Sequence, residues 1–117
     1  MACEFKMKQI QFMGTSLKDL RDFPETVRGL AGFELREVQK GNTPSDWKPM
    51  TSIGIGVKEI RIKDKEGIFR VVYVVKYLER VIVLHAFQKK AQKTPKKDLD
   101  LAQQRLKVVL EEIKDAK

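Results

Sequence analysis

Between residues 57 and 87, three runs of apolar-rich sequence, VKEIRIK, IFRVVYVV and RVIVLHAF, are separated by the breakers DKEG and KYLE. The first run places Ile60 and Ile62 on one side and Glu59, Arg61 and Lys63 on the other, the period-2 pattern of a strand with one charged face. The next two are dense in β-branched residues and apolar on both sides, which predicts central strands of an antiparallel meander. On strict alternation Arg70 shares a face with Ile68, Val72 and Val74, and His85 shares one with Val81 and Val83.

Upstream, FKMKQIQFM reads as a first strand. Ser16 is placed to cap a short helix, with Asp19 three residues on, and Phe23-Pro24 breaks it. A second helix begins at Pro24, with Val27, Leu30, Ala31, Leu35 and Val38 on one stripe and Gly41 just past its end. Gly29 and Gly32 lie inside that helix, where each costs about 1 kcal/mol relative to alanine, so they imply close packing against a sheet or a neighbouring helix. GNTPSDWKPMTSIGIG, which holds the only tryptophan, reads as a loop. Thr94 as cap and Pro95 at the first helical position open a last helix, whose stripe is Leu99, Ala102, Leu106, Val109, Leu110 and Ile113. The predicted architecture is an α+β two-layer domain: N-terminal strand, two helices, three-stranded antiparallel meander, C-terminal helix. At 117 residues the chain, 1–117, is expected to be a single domain.

Composition narrows the class. The one cysteine, Cys3, permits no intramolecular disulfide and gives a metal no cysteine partners, as expected of a cytoplasmic protein. Lysines interrupt the apolar stretch at the N-terminus, against a signal peptide, and the longest apolar runs are strand-sized, so no membrane association is expected. The net charge of +8 is uneven: residues 1–50 carry +1 and residues 51–117 carry +7. A basic half of this kind fits a partner that is nucleic acid or an acidic protein.

Within that half, Lys89, Lys90, Lys93, Lys96 and Lys97 fall in nine residues without an acid. Lys96 and Lys97 sit in the first turn of the last helix, where the macrodipole is already positive and acids are favoured. Free N–H groups and clustered lysines there suit a phosphate. Arg70, in an otherwise apolar row, requires either a carboxylate partner such as Glu59 on the adjacent strand or an anion in a bordering cleft. His85 is either a packing residue bonded to backbone or a proton-transfer group beside the cations. It has no second histidine and no ligand-spaced cysteine or carboxylate pair, so neither metal nor cofactor is expected. Gly54 and Gly56 in IGIGVKEI lack the third glycine, preceding strand and following helix of a dinucleotide loop.

The stretches WKPM (47–50), GVKEIRI (56–62), GIFRVVYVV (67–75) and VLHAFQKKAQKTPKKDLDLAQQRL (83–106) resemble the HigB-like, phage-derived branch of the RelE/ParE toxins of bacterial toxin–antitoxin systems. The resemblance implies a RelE-like microbial-ribonuclease-type fold and a ribosome-dependent endoribonuclease that cleaves mRNA by metal-independent attack of the ribose 2′-hydroxyl on the adjacent phosphate. It implies a catalytic set of Arg70, His85, Lys89, Lys90 and Lys93, and RNA contacts from Arg61, Lys96, Lys97, Trp47 and Lys48. The partners implied are mRNA, the ribosome and a cognate antitoxin, expected to be a helix-turn-helix protein. Some ribosome-dependent members carry a tyrosine near the C-terminus; here the tyrosines are Tyr73 and Tyr77. A ParE-like inhibitor of DNA gyrase and a non-catalytic RNA-binding module are the alternative readings.

Overall fold

A computed structural model describes residues 7–75, 80–89 and 94–115. Along the chain lie β1 (Gln9–Phe12), α1 (Ser16–Arg21), α2 (Glu25–Gln39), β2 (Trp47–Pro49), β3 (Val57–Asp64), β4 (Gly67–Val74), β5 (Arg80–Lys89) and α3 (Lys96–Asp115). The strands form one five-stranded sheet in the order β1-β5-β4-β3-β2. The predicted meander is present: β3 pairs antiparallel with β4 and β4 with β5. Lys65 and Glu66 form the tight β3–β4 turn, with Asp64 opposite Gly67. The expected KYLE connection lies outside the described residues.

Two elements go beyond the expectation. β1 adds to the sheet parallel to β5, with Gln9 opposite Arg80 and Phe12 opposite Val83. Trp47–Pro49, read as loop, forms a short edge strand antiparallel to β3. Three residues amid turn formers are too few to show a period, and their pairing comes from β3 rather than from their own pattern.

The α+β arrangement has helices on both faces of the sheet. Leu20, Phe23, Val27, Ala31, Leu35 and Val38 of the α1–α2 segment pack on Ile60, Ile62, Phe69, Val71, Tyr73, Val81 and Val83. On the other face Ala102, Leu106 and Val109 of α3 pack on Val57, Val72, Val74, Ile82 and Leu84. β4 and β5 are apolar on both sides over most of their length because both sides are covered.

Several local expectations are corrected. Ser16 is no cap: it lies inside α1, fully buried, and its Oγ donates to the Val83 carbonyl at 3.3 Å. Leu30 is 44% exposed, and its place on the buried stripe of α2 is taken by Glu34. That carboxylate is satisfied by Ser45, whose backbone N and Oγ lie at 2.6 and 2.9 Å. Gly29 and Gly32 do not pack closely, since a Cβ at either would meet nothing within 4 Å. Thr94 does not cap α3; the first helical bonds go to the Pro95 carbonyl, while Thr94 Oγ1 lies 3.5 Å from Glu59. Leu110 is exposed rather than part of the α3 stripe.

Gly54 is placed by close approach, because a Cβ there would collide with Leu106 of α3. Among the described residues Tyr73 is the largest fully buried side chain. Burial, and then the Glu34 carboxylate, push its hydroxyl up to about 12 from 10. A raised folded-state value stabilises the fold fully below pH 10, where unfolded tyrosine is still neutral, and that contribution is lost as pH rises toward 12. Thermal unfolding followed from pH 8 to pH 12 should therefore show the wild type losing roughly 2–3 kcal/mol above pH 10 relative to Tyr73→Phe. Parallel curves for the two proteins would show that Tyr73 does not govern the alkaline limb.

Candidate functional site

The register of the sheet lines up charged side chains on the face that carries α3. Lys48, Glu59, Val72 and His85 form one row across β2–β5; Arg61, Arg70 and Phe87 form the next; Lys63, Ile68 and Lys89 form the third. Successive rows on one face are separated by two residues along a strand, roughly 6–7 Å. By register five cations, Lys48, Arg61, Lys63, Arg70 and Lys89, fall on this side of the sheet, and Glu59 is the one carboxylate within these rows. The charged side of β3 was legible in the sequence; its continuation through β2, β4 and β5 depended on register. Lys63 belongs to the array, although only its place on the charged side of β3 could have drawn attention to it.

Glu59 is fully buried and Arg70 is 3% exposed. Their side chains form an ion pair, so Arg70 has the carboxylate partner its position requires. Arg70 Nε has no hydrogen-bond partner among the described residues. Glu59 also lies 3.9 Å from Lys48 Nζ. Burial in the first place, and the positive charges of Arg70 and Lys48, pull the Lys89 ammonium below the usual lysine range, with Glu59 opposing them. Lys89 consequently releases a proton more readily than an ordinary surface lysine. Arg61 turns to the sheet edge, where its Nε and Nη2 lie 3.1 and 3.0 Å from Asp46 Oδ1.

His85 departs from the face expected for it. β4 and β5 pair Val72 with His85 but Tyr73 with Val83, so Leu84 is an extra residue in the ladder. This β-bulge reverses the alternation and turns His85 to the α3 face. There its Nε2 lies 2.6 Å from Asp98 Oδ1 in the first turn of α3, and its ring stacks on Phe87 at 4.9 Å and 17°. Arg105 of α3 donates to the Leu84 carbonyl at 2.8 Å and lies 3.4 Å from His85 Nδ1. An arginine can only donate, so in that contact Nδ1 is the acceptor, while Nε2 faces Asp98. Both ring nitrogens are occupied within the fold. Burial lowers the Arg105 value, with Asp19 opposing the shift, and Gly14, at φ 55°, leaves room for its guanidinium, which a Cβ would meet at 2.6 Å.

The remaining expected residues divide. Lys96 and Lys97 are exposed on the first turn of α3. Trp47 does not join the array: its register opposite Ile60 puts it on the α2 side of the sheet, with Lys58 Nζ 4.7 Å from the ring centroid. Lys90 and Lys93 lie outside the described residues. Beyond the end of β1, a cavity of about 690 Å³ runs along β5, lined by His85, Phe87, Lys97 and Asp98 and also by Asp19, Asp22 and Glu66. Its carboxylates make it a poorer host for phosphate than the cationic rows. Among the described residues no three His, Cys, Asp or Glu side chains are grouped to hold a metal ion, and no helix is long and apolar enough to cross a membrane.

The five-stranded sheet with its three helices is compatible with an α+β toxin fold. The family model described as "Phage derived protein Gp49-like (DUF891)" matches residues 18–107, more than half of the chain. The chain belongs to that phage-derived family, which is related to the RelE-type toxins of toxin–antitoxin systems. No curated protein matches the sequence.

Removing Glu59 should expose the cost of the buried pair. Glu59→Ala leaves the Arg70 guanidinium buried without its acceptor and should lower stability in urea unfolding by about 3–5 kcal/mol, whereas Glu59→Leu combined with Arg70→Met should recover most of it. A loss below about 1 kcal/mol in the single variant would mean that Arg70 finds another partner or water.

Proposed function

We propose that the chain is a HigB-type toxin, a ribosome-dependent endoribonuclease that cuts mRNA by attack of a ribose 2′-hydroxyl on the adjacent phosphate. The observation that carries this reading is the alignment of Lys48, Arg61, Lys63, Arg70 and Lys89 on one sheet face. As the 2′-hydroxyl gives its proton to solvent, its oxygen bonds to phosphorus and the bond to the 5′-oxygen breaks, negative charge grows on the phosphoryl oxygens. Preorganised cations stabilise that charge more than they stabilise the ground state.

The residues divide the work by position. Lys48 and Lys63 hold the phosphates, Arg61 exchanges its Asp46 contact for one, and Arg70, paired with Glu59, keeps that carboxylate from offsetting the cations above it. Lys89, made more acidic by burial and its cationic neighbours, gives its proton to the departing 5′-oxygen. Lys96 and Lys97, with the N-terminal end of α3 behind them, take a flanking phosphate. Lys90 and Lys93 extend the same set in sequence. With both nitrogens engaged, His85 acts by holding Asp98 and Phe87 rather than by exchanging protons with RNA. A toxin-like family suggests an antitoxin as partner, and a helix-turn-helix protein with an acidic segment would complement the cationic face.

The test is a primer-extension map of cellular mRNA after brief induction in a bacterium, with Lys89→Ala as the comparison. Cuts inside translated regions, lost in the variant and suppressed when translation is blocked, are expected, with the variant's rate down at least a hundredfold. Growth arrest with intact mRNA would replace this reading with gyrase inhibition. Binding to RNA without any cut would leave a non-catalytic RNA-binding module.

A further inference from the structure

The outer face of α2 is a feature that the proposed reaction leaves unused. Phe33 is 58% exposed there and Leu30 44% exposed. Gly29, one turn before Phe33, and Gly32 are both open, with nothing within 4 Å of where a Cβ would stand. Two glycines inside a 15-residue helix weaken it without any packing gain in the single chain. Two large apolar side chains are held in water beside them. Glu25 in the first turn and Arg36 in the last lie on the same exposed side, and among the described residues neither makes an ion pair.

These positions are complementary to themselves. If a second α2 is laid antiparallel on the first with a two-fold axis beside residue 31, Phe33 of each copy falls opposite Gly29 of the other, since both lie two residues from the axis, about 3 Å along the helix. The same operation brings the two Leu30 side chains together on one flank and the two Gly32 backbones together on the other. It also sets Glu25 of each copy against Arg36 of its mate, at both ends of the contact. Antiparallel helices further align their dipoles favourably.

We propose that the chain forms an isologous dimer through this face, with α2 of one copy packed antiparallel on α2 of the second. Isologous contacts require one patch to match its own inverted image, and the apolar, glycine and charged positions of α2 all do so about one centre. α2 covers the sheet face opposite the cationic rows, so Lys48, Arg70 and Lys89 lie away from the contact, while Leu30 shares a cleft at the sheet edge with Arg61 and Lys63. The proposal does not depend on the nuclease reading.

Sedimentation velocity of the full chain from about 1 to 500 µM is the test. A monomer–dimer equilibrium is expected across this range, because one helix pair buries less than the roughly 1,200–2,000 Å² of a standard stable interface. Phe33→Glu and Gly29→Leu should each weaken association at least tenfold. Gly29→Leu should not lower the melting temperature, because its side chain enters open space in the monomer. Glu25→Arg and Arg36→Glu should each weaken the dimer, and the two together should restore it. A monomer at every concentration would overturn the proposal and leave the face to a helix of another protein. A dimer indifferent to Phe33→Glu and Gly29→Leu would overturn it equally.

Discussion

The Glu59–Arg70 pair organises the α3 face of the sheet. Central strands of a sheet covered on both sides should be apolar, and the buried positions of β3 and β4 obey that rule except at Glu59 and Arg70. An isolated buried guanidinium would be untenable, and so would an isolated carboxylate; together they are tolerated because each supplies the other's counter-charge. The arginine brings more donors than one carboxylate uses, and its Nε remains without a partner among the described residues. The pair is neutral as a unit, so the positive surplus of this face comes from the lysines around it. Lys48 and Lys89 gather around the pair, and the acidity of Lys89 follows from that arrangement rather than from its own sequence neighbours.

α3 is held over this face by a second set of interactions that begins with a backbone irregularity. The bulge at Leu84 turns His85 toward the helix, where it meets Asp98, while Arg105 reaches the Leu84 carbonyl and, beyond Gly14, the Thr15 hydroxyl at 3.2 Å. Asp98 supplies the negative charge that the first turn of a helix favours, beside the Lys96 and Lys97 that break that rule. One helix start therefore contains both a structural anchor and a surplus of cations. The buried side chains carry the anchor, and the exposed ones are left for a ligand.

Much of the fold was legible because its signals are local. Dense β-branched runs marked β4 and β5, the alternation in VKEIRIK marked β3, and the 3.6-residue stripes marked α2 and most of α3. What escaped depends on contacts distant in sequence. The parallel pairing of β1 with β5 leaves no mark in either strand, β2 is too short to show a period, and the bulge changes the face of His85 without changing composition. Leu30 and Glu34 exchanged expected roles because Ser45 satisfies a carboxylate that hydropathy alone would leave in water. In the candidate site, residue types were readable and rows were not. Arg61, Arg70 and Lys89 could be singled out as charges, but only register joins them with Lys63 and Lys48 and sends Trp47 to the other side.

The two faces of the sheet are occupied by different kinds of helix, and this division decides what each can do. α3 packs Ala102, Leu106 and Val109 onto the sheet but starts beside the charged rows, so its face grades from dry core to cationic surface within one helix length. α2 is packed along its whole inner stripe, and its outer stripe keeps apolar and glycine positions that a helix stable by itself would replace with polar residues or alanine. Exposed phenylalanine raises the hazard of association for a free chain, and glycine weakens the helix that bears it. Residues costly on two separate counts, arranged symmetrically about one point of the helix, are accounted for most economically by a second helix packed against them.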